Sequence, residues 1–382
     1  MPHFTLDEYE RRMEATRAAM AERGLDAMLL FAQESMYWLT GYDTFGFCFF
    51  QCLVVRADGE MALLTRSADL RQARRTSIIP AVHVWRDSAT AKPAHDLREM
   101  LNDMGLLGAR LGVEYDTHGL TAANGRALDD ALGSFAKTEE ASGLVSRLRL
   151  VKSEQEVGFV RRAAALCDDA LDAALATTKA GADEGEILAA MQGAVFAGGG
   201  DYPGNPFILG SGEDALLCRY KAGRRTLDAD DQLTIEWAGV FAQYHVAAMR
   251  TLVVGEPRPR HRQLFDAAEA ALAAVEEAMR PGRTFGDVFA AHARALDAHG
   301  MSKHRLNACG YSLGSRFAPS WMERQMFYAD NPEPIAPNQT LFAHMILMDS
   351  ETETAMCLGR TYLTTEGDPE PLSRHGTEFT VL

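Results

Sequence analysis

One internal repeat constrains this chain more than any other feature. Around Gly181 it reads Ala-Gly-Ala-Asp-Glu-Gly-Glu-Ile, and around Gly282 it reads Pro-Gly-Arg-Thr-Phe-Gly-Asp-Val. Gly181/Gly282, Gly185/Gly286, Glu186/Asp287 and Ile187/Val288 therefore share an offset of 101 residues. Each unit continues into an apolar-faced helix (187–196; 288–296), a glycine-containing stop, an Asn (Asn205; Asn307) and a Leu-Gly-Ser (209–211; 313–315). Further on, Asp231-Gln232-Leu233-Thr234-Ile235 echoes Asn338-Gln339-Thr340-Leu341-Phe342. A helix-then-strand unit repeated once predicts a pseudo-twofold domain. The ligand site of such a domain is expected where the two halves meet.

The chain ahead of the repeat divides in two. Ser153 and Glu156 form a Ser-x-x-Glu capping signature, and Val157, Val160, Ala164, Cys167, Leu171 and Ala174 make one apolar face of the helix that follows. That helix opens a second domain, 152–382. Residues 1–145 read as an α/β domain. Tyr9, Met13, Thr16 and Met20 mark a helix stopped by Gly24, and a strand covers 27–31. Short β-branched or aromatic runs at 47–55, 61–65 and 82–85 predict further strands. Helical stretches at 94–104 and 122–132 alternate with a strand at 110–113.

Lys and Arg number 38 against 53 Asp and Glu, a formal charge of −15. A field of that sign repels phosphate backbones and anionic membrane surfaces, so neither nucleic acid nor membrane is expected as a partner. The six cysteines lie mostly in apolar runs, which predicts buried, reduced thiols. No apolar run approaches eighteen residues and 1–10 is polar, so the expectation is a cytoplasmic protein.

Several motifs occur in order along nearly the whole chain. Tyr37-Trp38-Leu39-Thr40-Gly41-Tyr42 looks like the Y-L-T-G-Y element of creatinase and prolidase N-terminal domains. The stretch from Glu236-Trp237-Ala238-Gly239 through Tyr244-His245 to Arg250-Thr251 is similar to D-x-G…Y-x-x-D-x-T-R-T. The chain thus resembles the pita-bread family of creatinase, prolidase and aminopeptidase P, with ectoine hydrolase nearest in flavour. The resemblance implies an α+β protein: a creatinase/prolidase-like α/β domain followed by a pseudo-twofold pita-bread domain. It also implies a homodimer in which Phe45–Phe50 offers apolar surface.

Metallopeptidase members of that family hold two divalent ions with two aspartates, a histidine and two glutamates, since hard cations need anionic oxygens. Mapped onto this chain, those positions fall at Glu236, at Ala247, near Cys309 in the H-G-x-G element, near Met345 and near Leu358. Ala, Met and Leu have no donor for such an ion, so no metal cofactor is expected. The alternative is a displaced site for Mn, Co or Zn that recruits His344, Glu351 or Glu353. A further family histidine maps to Arg219, which binds a carboxylate bidentately and cannot shuttle a proton.

What remains predicts a metal-independent hydrolase of a C–N bond (amide, amidine or guanidino) in a small zwitterionic metabolite. Glu236 and His245 would handle protons and Glu323 would meet a cationic nitrogen, beside Trp321 in a Pro-x-Trp-x-Glu stretch similar to that of ectoine hydrolase. Arg219, Tyr244, Arg250, Tyr311, Trp321 and His344 complete the expected substrate-binding set. An Xaa-Pro dipeptidase and a catalytically silent binding protein are the competing expectations.

Overall fold

The computed structural model describes residues 2–221 and 223–382. They form two compact units, 1–149 and 150–382.

The first unit is a six-stranded sheet in the order β4-β3-β2-β1-β5-β6. Its strands are β1 (Ala27–Leu30), β2 (Cys52–Arg56), β3 (Met61–Arg66), β4 (Ala81–Trp85), β5 (Arg110–Val113) and β6 (Lys137–Glu140). The helices are α1 (Leu6–Arg23), α2 (Gln33–Thr40), α3 (Leu70–Thr76), α4 (Pro93–Asp103), α5 (Ala122–Leu132) and α6 (Gly143–Leu148). Helices cover both faces, which explains why β1 is apolar throughout. Ala27 and Leu29 pack with Leu97 and Leu128, whereas Met28 and Leu30 pack with Met20 and Trp38. The apolar run at 47–55 is a strand only from Cys52; Gly46–Cys48 is a 3-10 turn that leaves Phe45 exposed. Glu114 is buried at the start of α2, where its carboxylate accepts from the Phe31 and Ala32 N–H groups and from Ser35 Oγ.

The second unit contains α7 (Glu154–Thr177), α8 (Glu184–Ala197), β7 (Ile208–Ser211), β8 (Asp231–Phe241), β9 (Tyr244–Val254), α9 (Pro259–Ala278) and α10 (Phe285–Ala298). It continues with β10 (Ala308–Ser312), β11 (Met326–Tyr328), β12 (Thr340–Asp349), β13 (Thr354–Leu363) and β14 (Glu370–Pro371). The Ser153/Glu156 capping box opens α7 as predicted. The repeat is equally literal at the helix starts. Asp183 and Thr284, one repeat offset apart, are the N-caps of α8 and α10, each accepting backbone N–H groups of the first turn.

The eight-stranded sheet runs β11-β10-β12-β13-β9-β8-β7, with β14 paired to β13. Apart from β11 and β14 the order is palindromic about the β13/β9 seam, which is the pseudo-twofold the repeat demands. One sheet face packs on helices: Trp237 donates its indole N–H to the Cys167 carbonyl of α7 at 2.8 Å. Cys309, Met345 and Leu358 lie in one core with Leu264, Leu272 and Val288 of α9 and α10. The opposite face carries the residues of interest.

Candidate functional site

Direct ladder partners point to the same side of a sheet, and successive residues to opposite sides. Glu236 pairs with Met249, Met249 with Gly359, Gly359 with His344, and Phe342 with Tyr311. Glu236, Ala247, Tyr311, His344 and Gly359 therefore share the face turned away from the helices.

This register, together with the core packing of Cys309 at an irregularity in the β10–β11 pairing, corrects three positions in the mapping. Cys309, Met345 and Leu358 point into the helix-covered core; the site-facing residues beside them are Tyr311, His344 and Gly359. The two strand echoes are also out of step. An offset of 107 would match Glu236 to Ala343, which faces the helices; with Glu236 matched to His344 the ladder aligns 209–211 with 310–312 rather than with Leu313-Gly314-Ser315.

Glu236 is the centre of the arrangement. It is only 8% exposed, and Tyr311 Oη donates to its Oε1 at 3.2 Å. Trp321 Nε1 in turn donates to Tyr311 Oη at 2.8 Å. Burial lifts the Glu236 carboxyl to about 7, opposed by the Tyr311 hydrogen bond and the positive field of Arg219. Tyr311, itself buried beside Glu236, is held well above the usual phenol range. The Tyr311 ring lies 5.7 Å from that of His344 and 5.3 Å from that of Phe342. His344 is pushed down to about 3 by burial, with Arg219 acting in the same direction, so it is neutral at physiological pH.

Arg219 is exposed and, among the described residues, engages no ion pair or hydrogen bond. Its charge is nonetheless felt by Glu236, Tyr311 and His344. A structural ion pair of Arg219 with Glu236 or Asp214 is not formed. The structure thus gathers Glu236, Tyr311, Trp321, His344 and Arg219.

Other expected site residues stand apart. His245 shares the site face but is paired with Val240, four residues along β8 from Glu236, roughly 13 Å at the usual strand rise. Its Nε2 accepts the Gly204 N–H at 2.9 Å and burial lowers it to about 4. The ring is therefore a neutral Nδ1–H tautomer whose free lone pair is already used, so in this arrangement it is not a proton acceptor. Tyr244 and Arg250 are corrected outright, because both face the helices. Tyr244 Oη donates to Glu156 at 2.7 Å, and Arg250 donates to the carbonyls of Met249, Gly359 and Gly376. Glu323 is buried with Arg316 at 3.7 Å, and its backbone N–H donates to Ser312. It makes no hydrogen bond with Glu236.

Cys309 is fully buried in apolar surroundings that push its thiol up, which removes it as a nucleophile. The Cys218 thiol is likewise raised, by burial first and then by Glu236. Glu351 and Glu353 are exposed in the turn joining β12 to β13 and do not replace the missing carboxylates. Among the described residues no group of three or more His, Cys, Asp or Glu is arranged to hold a metal ion. One carboxylate, a phenol, an alanine, an imidazole and a glycine do not make the donor set a pair of hard cations requires.

Sequence reasoning missed the Trp321–Tyr311–Glu236 chain. The signal was present: Tyr311-Ser312-Leu313-Gly314 lines up with H-G-x-G, with tyrosine in the histidine's place and serine in the first glycine's.

Known proteins similar to this chain include two hydrolases. The chain is 28% identical over 358 residues to ectoine hydrolase of Halomonas elongata, covering 87% of each chain. It is 21% identical to the Xaa-Pro dipeptidase of Pyrococcus furiosus over 305 residues, 80% of this chain and 82% of that one. A dipeptidase structure from Pyrococcus horikoshii superposes with a TM-score of 0.85 at 20% identity, covering 97% of this chain and 100% of the other. The creatinase/prolidase N-terminal domain matches residues 12–151 and metallopeptidase family M24 matches 158–366. With that match spanning more than half of its length, this chain belongs to metallopeptidase family M24.

Proposed function

We propose that this protein is a hydrolase that cleaves a C–N bond of a small carboxylate-bearing metabolite without a metal pair. The observation that carries the reading is the environment of Glu236. At the position where M24 peptidases place their first aspartate, this carboxyl is buried, hydrogen-bonded by Tyr311 and, among the described residues, faced by no second carboxylate. A group poised near neutrality is suited to give and take a proton during hydrolysis. Arg219 holds the substrate carboxylate with its planar fork. Trp321 and Tyr311 orient Glu236, and neutral His344 offers a hydrogen bond without adding charge. The similarity to ectoine hydrolase over most of both chains supports this class of substrate.

The test is hydrolysis of a panel of ectoine, creatine, N-acyl amino acids and Xaa-Pro dipeptides, before and after exhaustive chelation, with elemental analysis of the same sample. The expected result is turnover of a non-peptide member that survives chelation. Turnover of Xaa-Pro dipeptides that is lost with near two metal ions per chain overturns it.

The reading extends to a cytoplasmic homodimer. Phe45 is 82% exposed beside a half-exposed Phe49, which is apolar surface suited to a second copy. Light scattering should give twice the chain mass of 41.8 kDa. Among the described residues no helix is long and apolar enough to cross a membrane.

A further inference from the structure

Trp321 reaches Tyr311 from the connection between β10 and β11, residues 313–325, and the ends of that connection are tied to the sheet. Arg316 gives its N–H to the Gln243 carbonyl, Glu323 to the Ser312 carbonyl and Ser312 to the Gln325 carbonyl. Trp321 itself is held from the other half of the repeat. Its backbone N–H donates to Asn205 Oδ1 at 3.3 Å, in the loop that leads into β7. The neighbouring Gly204 lies against the same spot, where a Cβ would stand 2.8 Å from the Ser320 carbonyl carbon and from the Trp321 nitrogen. Gly204 in turn gives its N–H to His245 Nε2 at 2.9 Å, and the His245 N–H donates to the Gly314 carbonyl at 3.2 Å. His245 is fully buried on β9, so the loop hangs from the sheet.

We infer that Asn205 and His245 are positioning residues: together they fix where the Trp321 indole stands, and through it the direction in which the Tyr311 hydroxyl points. The order of donors follows from the chemistry of each group. A backbone N–H and an indole N–H only donate, so His245 Nε2 and Tyr311 Oη must accept at their two contacts. A phenol has one hydrogen, and with the indole on its oxygen that hydrogen is left for Glu236 Oε1, the acceptor at 3.2 Å. If Trp321 drops away, the Tyr311 hydroxyl rotates freely and its donation to Glu236 is lost for part of the time. Asn205, marked in the sequence by the repeat, and His245, which is no proton acceptor, thus serve one carboxyl that neither of them touches. The effect on turnover rests on the hydrolase reading; the placement of Trp321 does not.

Fluorine NMR of the full chain grown with 5-fluorotryptophan separates the two. Trp38, Trp85, Trp237 and Trp321 give four signals, and that of Trp321 is the one missing from Trp321→Phe. Asn205→Leu keeps the size and removes the acceptor, and His245→Phe keeps a ring and releases the Gly204 N–H. In each the Trp321 signal should shift or broaden while the other three stay in place, and Asn205→Asp, which retains Oδ1, should leave it where it was. With whichever panel substrate turns over, kcat should fall about fivefold in Asn205→Leu at nearly constant KM and recover in Asn205→Asp to within about twofold. An unmoved Trp321 signal overturns the role of the residue exchanged. Movement of all four signals, or an Asn205→Asp that behaves as Asn205→Leu does, reveals a merely structural contact and overturns it as well. A displaced Trp321 with kcat unchanged overturns the link to Glu236. Failure of every panel substrate to turn over sinks the hydrolase reading instead, and the fluorine signals still decide what holds Trp321.

Discussion

At the scale of single residues, the chemistry rests on one carboxyl and its hydrogen bonds. Glu236→Gln keeps the shape and removes the titratable oxygen, so kcat should fall by about 10²–10⁴-fold while KM changes little. Steady-state kinetics on whichever panel member turns over decides this. Tyr311→Phe removes a donor that favours the ionised form, so the Glu236 carboxyl should titrate at higher pH. If the protonated form is the working one, the alkaline limb of the pH–rate profile should move upward; a profile that stays in place counts against Glu236 as the acid. Much of this was legible: Glu236, Arg219, Tyr311, Trp321 and His344 were all singled out from the chain alone. Which of them meet was not, since only the ladder decides whether Cys309 or Tyr311, Met345 or His344, Leu358 or Gly359 looks toward Glu236. Met345 and His344, like Leu358 and Gly359, differ by one residue, and on a strand a single step reverses the face; Cys309 and Tyr311 differ by two and part company at the irregularity between Ala308 and Tyr311.

At the scale of elements, the repeat was readable at the helix starts and unreliable in the strands, for a physical reason. A helix N-cap needs a particular side chain at one position, so Asp183 and Thr284 keep a fixed offset. Sheet register depends on loop and turn lengths, which the residue types in the strands do not encode. Close approach between layers adds a constraint that only the structure reveals. A Cβ on Gly239 would stand 2.0 Å from the Ala163 carbonyl oxygen and 2.3 Å from the Cys167 nitrogen, both backbone atoms of α7. Neither atom has room to yield, so Gly239→Ala should push β8 away from α7 and cost about 1–3 kcal/mol or more. Chemical denaturation should show the midpoint falling. An unchanged midpoint would mean that helix and strand slide freely past one another.

At the scale of the whole molecule, the buried titratable groups are unevenly divided. The second unit holds His245, His261, His292 and His344, each lowered to about 3–4 mainly by burial. Folded pKa values below the unfolded value of about 6.5 mean stability that is present above pH 6.5 and lost as pH falls through 6 to 4. Glu236 and Glu114, raised to about 7, act with the opposite sign: their contribution is greatest below about pH 4.5 and is lost as pH rises through 7. Four histidines outweigh one glutamate in the second unit, while in the first the buried carboxyl raised in this way is Glu114. Hydrogen exchange at pH 4–5 should therefore show amide protection fading in β8, β9, β12 and β13 while β1–β6 keep theirs. Simultaneous loss in both sheets would contradict this.

The seam between β9 and β13 has a mechanical meaning. Each hairpin is zipped along its length, but among the described residues the two are joined in register only at Leu358↔Arg250 and Gly359↔Met249. The Arg250 guanidinium fastens that join, donating to the Met249 carbonyl at 2.8 Å on its own strand and to the Gly359 carbonyl at 2.6 Å across it. The halves are two leaves of a book and Arg250 is the rivet in its spine. Glu236 is printed on one leaf and His344 on the other, so the gap between acid and imidazole is set by the angle of the spine. Arg250, buried on the far side of the sheet, thus helps hold that angle, with Thr361 bonding the Ala247 backbone and Thr251 accepting the Cys357 N–H on either side of it.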